Sequence, residues 1–426
     1  MGVAACLITP SVLGLVAALY QGRQRAIAFG AIAGAAALST LSPLALGAVM
    51  DSAGFRLTFA IMAAYFAVVL CCTRAIPRLP DPHGHARFDV AGTVVAACGL
   101  GLVLIGVGHL SDWGITAPQK LCPLTLFGLP PTLPAIIAGL VLLGLLVPTE
   151  RRAQRRGNPL IPTAFVTSPG VRAGLAAVAL PFFYMGAVGI LATPYLQLVT
   201  GFTALQTGML SLLSGIPMFL LAMFLPKVAP HLSSRLIIRT GFVAIAAACG
   251  LMALGIQQQG VGIALFVGMA LGGFGVGAVN SQANNAVACA VTRKEAEQSG
   301  GIQGAARSIG LALGTALAGT CLLLAMASGF AAQATDAGID HELVATATEK
   351  ASALMSADAF DDLTGQWGAD EVQAAQLVAA KSTAQADAMR LTFGALGALM
   401  AAGLLTTRHL VETSAPREKK PERAKA

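Results

Sequence analysis

The sequence predicts an all-α, polytopic membrane protein built as a helical bundle of about eleven transmembrane helices. Three observations carry that prediction. Hydrophobic residues make up 56% of the 426-residue chain and charged residues 11%, against roughly 25% charged in a soluble protein. The apolar residues gather into long runs near the length, about 20 residues, that crosses a bilayer's hydrocarbon core. The Lys and Arg residues fall into every second gap between those runs, 22 of 27 in one set of gaps and 5 in the other. Cytoplasmic loops are the basic ones, so the alternation sets an orientation: N-terminus outside, C-terminus cytoplasmic, in the cell inner (plasma) membrane.

The runs follow in order. The first covers 2–20 and is uncharged up to Arg23; it lacks the basic n-region of a secretory signal. Runs at 26–49, 56–73, 90–110 and 128–148 come next, then 173–194, 204–226, 236–256, 260–290, 303–328 and 390–408. The uncharged stretches 173–226 and 240–292 are each too long for one helix. Polar breaks at Gln197 to Gly208 and at Gln257-Gln258-Gln259-Gly260 divide each into two. The inner loops hold the cluster Arg151, Arg152, Arg155 and Arg156, and the tail holds Lys419 and Lys420. The outer gaps hold only Arg56, Lys120, Lys350, Lys381 and Arg390. Residues 329–389 carry ten acids against two lysines amid many alanines, a composition suited to solvent-exposed amphipathic helices over the outer face.

Composition also excludes function classes. The net charge of +7 sits in short loops and a tail, not on a continuous folded face, which argues against nucleic acid. The eight cysteines lie in or beside apolar runs with no Cys-x-x-Cys pair, and read as small buried hydrophobes. Scattered histidines form no metal-ligand cluster, so neither metal nor cofactor is expected. No phosphate-binding Gly-x-x-x-x-Gly-Lys loop and no nucleophile elbow occurs. An enzyme is not expected, and any transport would be secondary.

Small-xxx-small pairs at Gly268 and Gly272, Gly273 and Gly277, and Gly310 and Gly314 let backbones approach closely in lipid. They predict a tight pair between the two adjacent helices that carry them. Asn280, Gln282, Asn284 and Asn285 are the densest uncharged polar set in any run. Asn280 and Asn284, four apart, share a helix face, which either lines a central cavity or bonds helices together. Arg307 lies about one turn inside its helix, as a gate charge facing the cavity or as an arginine snorkelling to the interface. Tyr184, Tyr195 and Gln197 flank Pro181 and Pro194 on one helix. Prolines are tolerated in a span where a cavity or neighbour satisfies the freed backbone, so these residues are cavity candidates, with interfacial anchoring the alternative for Tyr195. No Asp or Glu falls inside a run and His109 lies at a run's end, so a buried proton carrier is not evident.

Particular stretches resemble the fourteen-helix drug:proton antiporters of the major facilitator superfamily. YLQLVTGFTALQTG at 195–208 is similar to the end of that family's ninth helix and the start of its tenth. EAEQSGGIQGAARSIGLALG at 295–314 is similar to its thirteenth helix and the loop before it. SPLALGAVMDSAGFRLTF at 42–59 resembles its antiporter motif and the turn after it, and FDVAG at 88–92 with SDW at 111–113 fits the entry and exit of its seventh helix. The resemblance implies a major-facilitator-like bundle in which Gly30, Gly34, Ser42, Pro43 and Gly47 belong to the antiporter-motif helix, kinked and tightly packed. Ser42-Pro43 stands where the family has Gly-Pro. It further implies a small-molecule substrate, protons as coupling ion, and the lipid bilayer as surroundings.

Aligned so, residue 2 corresponds to the family's fourth helix, and the first three helices have no counterpart. The expected organisation is a partial N-terminal bundle of three helices (1–76), two linking helices (77–150) and a complete C-terminal six-helix bundle (151–426). The last would carry the acidic segment 329–389 and the basic tail 409–426. The implied function is export of small amphiphilic drugs or toxic compounds by proton antiport. The alternatives are a metabolite or natural-product exporter, or an N-terminally truncated remnant that inserts but moves nothing.

Overall fold

A computed structural model describes residues 22–38, 42–75, 90–109, 130–155, 168–229, 231–258, 260–290, 293–339, 341–351, 354–367 and 370–410, with isolated positions in 8–20 and 113–125. Most of the run 2–20, the loops 76–89 and 156–167 and the tail from 411 lie outside the described residues, as do Phe88, Asp89, Ser111 and Asp112 of the two short motifs.

The described residues form twelve α-helices. Four lie in the first part: α1 (Gly22–Leu38), α2 (Ser42–Cys72), α3 (Val90–Gly108) and α4 (Thr132–Arg155). The remainder are α5 (Pro169–Pro194), α6 (Ala204–Val228), α7 (Ser234–Gly255), α8 (Ile263–Cys289), α9 (Arg293–Asp336), α10 (His341–Ala351), α11 (Ala357–Gln366) and α12 (Glu371–Thr406). Among the described residues nine helical segments are long and apolar enough to cross a membrane. The protein is an all-α polytopic membrane protein, as expected.

Local chemistry sets where these helices begin and end. Pro169 opens α5, where its missing N–H would have had no intrahelical partner. A π-turn over Tyr195–Val199 closes that helix. The polar break then supplies a capping box for α6: Thr203 N–H donates to Gln206 Oε1 (2.9 Å) and Gln206 N–H to Thr203 Oγ1 (3.2 Å). The second break folds as a two-residue hairpin, β1 (Ile256–Gln257) against β2 (Gly260–Val261). Tyr195 is fully buried and its hydroxyl donates to Gln257 O (2.8 Å); it clasps the hairpin, and its ring does not anchor at the lipid surface.

Of the run 26–49, residues 26–38 lie in α1 and 42–49 in α2, with 39–41 outside the described residues. The helical path of α2 breaks at Gly54 (φ 77°), a backbone region that only glycine enters freely, in the gap between the runs 26–49 and 56–73. Three expectations are corrected. First, the cysteines are not uniformly buried. Cys71, Cys72, Cys98 and Cys289 are exposed, because an apolar solvent removes the penalty for leaving a thiol outside. Second, the runs 303–328 and 390–408 are parts of longer helices. At 1.5 Å per residue the 44-residue α9 and 36-residue α12 reach about 66 and 54 Å, against a hydrocarbon core of about 30 Å. Their protruding ends pack with α10 and α11 around a second core of Phe330, Ile339, Val344, Phe360 and Leu377. The acidic segment is thus a small folded cap with its own interior.

The third concerns the glycines. They do not pair α8 with α9, which touch only lightly. A Cβ at Gly273 or Gly277 would run into Ser214 O or Met218 O of α6, and one at Gly310 or Gly314 into Ala179 O or Phe183 O of α5. Each helix turns its smooth stripe to a different neighbour, because sequence adjacency does not decide which faces meet. The result is a packed set of α5, α6, α7, α8, α9 and α12 around Phe242, Ile245, Met252, Val279 and Phe393. Helix α1 lies against α6 and α8, α3 pairs with α4, and the stretch Gly54–Cys72 of α2 is largely exposed.

Helix α7 is fastened at both of its ends to α12 or the turn that follows it. Arg390 Nη2 donates to Ile256 O (2.8 Å) at one end. At the other, Arg235 Nη2 donates to Leu410 O (2.7 Å) and Arg239 Nε to Thr407 Oγ1 (2.9 Å).

Gly277→Leu places a branched side chain where a bare Cβ would already stand 2.6 Å from Met218 O. Overpacking of this kind costs about 1–3 kcal/mol, so the unfolding midpoint in detergent should fall. Gly101→Leu, at a position with open space around it, should leave it unchanged. Equal midpoints for both variants would contradict the α6–α8 contact.

Candidate functional site

A cavity of about 270 Å³ opens between α5, α6 and α8. Tyr184 and Met185 of α5, Thr207, Ser211 and Met218 of α6, and Met269 of α8 line it. No charged residue is in its wall. The hydroxyls of α6 are turned back onto their own helix: Thr207 Oγ1 donates to Thr203 O (3.0 Å), Ser211 Oγ to Thr207 O (3.0 Å) and Ser214 Oγ to Ser211 O (3.0 Å). Their oxygens remain able to accept. Tyr184 is buried, with its hydroxyl 3.8 Å from Met252 Sδ, and it fits there because Gly272 leaves the room. Methionines that re-pack easily, an aromatic ring and a few hydroxyl acceptors suit ligands of varied shape.

The polar stripe of α8 points elsewhere. Asn284 Oδ1 accepts from Arg307 Nη2 of α9 (2.8 Å), and Asn284 Nδ2 lies 3.4 Å from Asn280 O. Gln282 Oε1 accepts from Ser234 Oγ of α7 (3.0 Å). Asn285 Oδ1 is 3.7 Å from Cys289 Sγ, which in turn lies 2.9 Å from Arg25 Nη2 of α1. The four amide side chains are all buried; Asn284 and Gln282 reach two different helices, while Asn285 stays on its own helix against Cys289. They line none of the cavity beside Tyr184. Gln197, half-buried in the π-turn, does not line it either.

Arg307 is 8% exposed. Its guanidinium is held between Asn284 and the ring of Phe182 in α5, 5.2 Å from the ring centroid, so it points into the bundle and not toward its surface. Gln303, one turn earlier on the same face, is fully buried and donates to Ser299 Oγ (3.2 Å). Arg307 Nε and Gln303 Oε1 have no partner among the described residues. A buried donor and acceptor left so are what a water or a ligand's polar group would satisfy.

The antiporter-motif candidates divide. Gly30 and Gly34 press α1 onto α6, where a Cβ at Gly30 would stand 2.7 Å from Ala222 O and one at Gly34 3.4 Å from Met223 Cβ. Ser42, Pro43 and Gly47 lie in the first turns of α2, and their side chains fall outside the description. Sequence reasoning missed Phe182, Gln303 and the hydroxyl row of α6. The signal was present in that row, since Thr207, Ser211 and Ser214 recur at i, i+4 and i+7 on one face. It also missed two buried charges. Glu150, 5% exposed, ends the apolar part of α4, and Lys381, 3% exposed, lies in the cap end of α12. With Arg307 they are the buried charged side chains among the described residues.

Residues 1–315 match the family profile of the Major Facilitator Superfamily. The chain is 26% identical over 370 residues to the "Probable actinorhodin transporter" of Streptomyces coelicolor, covering 84% of this chain and 60% of that protein. It is 24% identical over 323 residues to "Multidrug resistance protein Stp" of Mycobacterium tuberculosis, covering 75% and 57%. It is 26% identical over 332 residues to "Puromycin resistance protein pur8" of Streptomyces alboniger, covering 75% and 61%. The chain therefore spans roughly three-fifths of the length of these relatives.

Asn284→Ala removes the side-chain acceptor of a buried guanidinium, and should destabilise the protein by about 1–3 kcal/mol. Adding Arg307→Met removes the group left stranded, so the double variant should unfold at a higher temperature than Asn284→Ala alone. Strict additivity of the two single effects would show that the side chains do not interact.

Proposed function

Since the chain belongs to the Major Facilitator Superfamily, we propose that it is a secondary exporter of small amphiphilic compounds, driven by proton antiport. The observation that carries this reading is the uncharged cavity between α5, α6 and α8, lined by Tyr184, methionines and hydroxyl oxygens. Such a lining holds an apolar body by area and gives a polar edge a few acceptors. The relatives named for multidrug and puromycin resistance fit a broad amphiphilic range. The relative named for actinorhodin transport favours a second reading on the same scaffold, a natural-product exporter.

In this reading residues 1–76 belong to an N-terminal bundle, 77–150 to two linking helices and 151–426 to the C-terminal six-helix bundle. The basic loops and tail face the cytoplasm, and the cap of α10 and α11 faces outward. Tyr184 is the cavity residue that contacts substrate. Arg307, held by Asn284 and Phe182, is the charge at the α5–α8–α9 junction whose partner changes between states, with the orphan atoms of Gln303 and Arg307 as its second set of bonds. Proton coupling needs a titratable group within the protein. Glu150 is the buried carboxylate among the described residues, and it stands on α4, away from the cavity.

Ethidium accumulation in an efflux-deficient bacterial host tests this. Expression of the chain should lower accumulation relative to empty vector, and nigericin, which collapses the pH gradient, should abolish the difference. Ser211→Trp, filling the cavity, should also abolish it, whereas Leu254→Trp on an exposed face should not. Accumulation that matches empty vector for several amphiphilic dyes, with the protein present in the membrane, would defeat the exporter reading. Export that persists with nigericin and with a protonophore alike would leave the exporter reading and remove proton exchange.

A further inference from the structure

A second cavity, of about 330 Å³, lies where the cap meets the bundle, between the end of α5, the hairpin, the start of α11 and the cap portion of α12. Counting back about 20 residues, one hydrocarbon thickness, from the end of α12 at Thr406 reaches Asp387. Lys381 and this cavity therefore stand outside the hydrocarbon layer, in reach of water-soluble molecules.

Lys381 lines the cavity and is 3% exposed. Its Nζ donates to Met355 O (3.2 Å) and to Gln385 Oε1 (3.2 Å), and lies 5.2 Å from the centroid of the Phe360 ring. Every one of these partners is neutral. Among the described residues no carboxylate comes within ion-pair distance of it. An ammonium carries three donors, and a buried cation without a counter-charge is costly. The rest of the wall agrees with an anion. The first turn of α11, Ala357 and Asp358, lines the cavity, and its N-cap Ser356 satisfies only the Ala359 N–H, so the positive end of that helix is present too. The Asp358 carboxylate is the opposing charge on the wall; it is exposed and so largely hydrated. Val199, Phe202 and Val378 supply an apolar side.

We propose that this cavity binds the carboxylate of an amphipathic organic acid, with Lys381 as the counter-charge and the Val199–Phe202–Val378 wall holding the apolar part. The site is independent of the transport reading, because it lies in the cap and its occupancy is measurable without transport.

Equilibrium dialysis of the purified full chain in phosphatidylcholine nanodiscs tests it, with 2-naphthoate as the probe and 2-naphthamide as its neutral twin. The wild type should bind the acid at least tenfold more tightly than the amide, after subtraction of empty discs. Lys381→Met should bind the two equally, and Lys381→Arg should keep a preference for the acid. Val378→Trp, which leaves the ammonium in place but fills the cavity, should lose both probes. It decides the matter should Lys381→Met fail to fold. No preference in the wild type, a preference that persists in Lys381→Met, or undiminished binding in Val378→Trp each overturns the proposal.

Discussion

The arrangement depends on how closely helix backbones can approach when lipid, and not water, surrounds them. Apolar side chains gain little by leaving hydrocarbon for one another, so association rests on contact area and on bonds between helices. Here contact area comes from glycine stripes that let whole backbones touch. Gly310 and Gly314 bring α9 onto the carbonyls of Ala179 and Phe183, while Gly273 and Gly277 bring α8 onto those of Ser214 and Met218. Helix α5 therefore has α9 on one flank and α8 near the other, and the Tyr184 cavity is the space left where those contacts diverge.

Polar groups are distributed by the same rule. A side chain that cannot be wetted must find a partner within the bundle. Gln282 and Asn284 of α8 do so by reaching to α7 and α9, and the hydroxyls of α6 do so on their own helix. What remains facing the cavity is methionine, tyrosine and oxygen acceptors. Its neutrality is thus a by-product of bonding needs settled elsewhere, and Arg307 is committed to Asn284.

Much of the helix plan was legible in the sequence because lipid imposes a length and a polarity on every crossing. The two long uncharged stretches divided where glutamines and glycines interrupted them, and those breaks became a π-turn with a capping box and a hairpin. Direction was not legible. Asn280, Gln282, Asn284 and Asn285 were recognisable as a set, but which neighbour each one meets depends on helix rotation, which composition does not encode. The glycine pairs were recognisable as packing signals, yet they join α8 to α6 and α9 to α5, and not α8 to α9. The cap was read as solvated because ten acids dominate it, while Phe330, Phe360 and Leu377, too sparse to register as a run, build its interior. Burial of Lys381 was hidden for the same reason.

Helix α7 is tied to α12 at both of its own ends, by Arg390 to Ile256 and by Arg235 and Arg239 to Leu410 and Thr407. Sliding one along the other would break arginine bonds at the two termini together, which makes the pair a stiff plank. Any tilt of α7 therefore carries α12 with it, and because α12 continues into the cap beside α11, the cap shares the same rigid support.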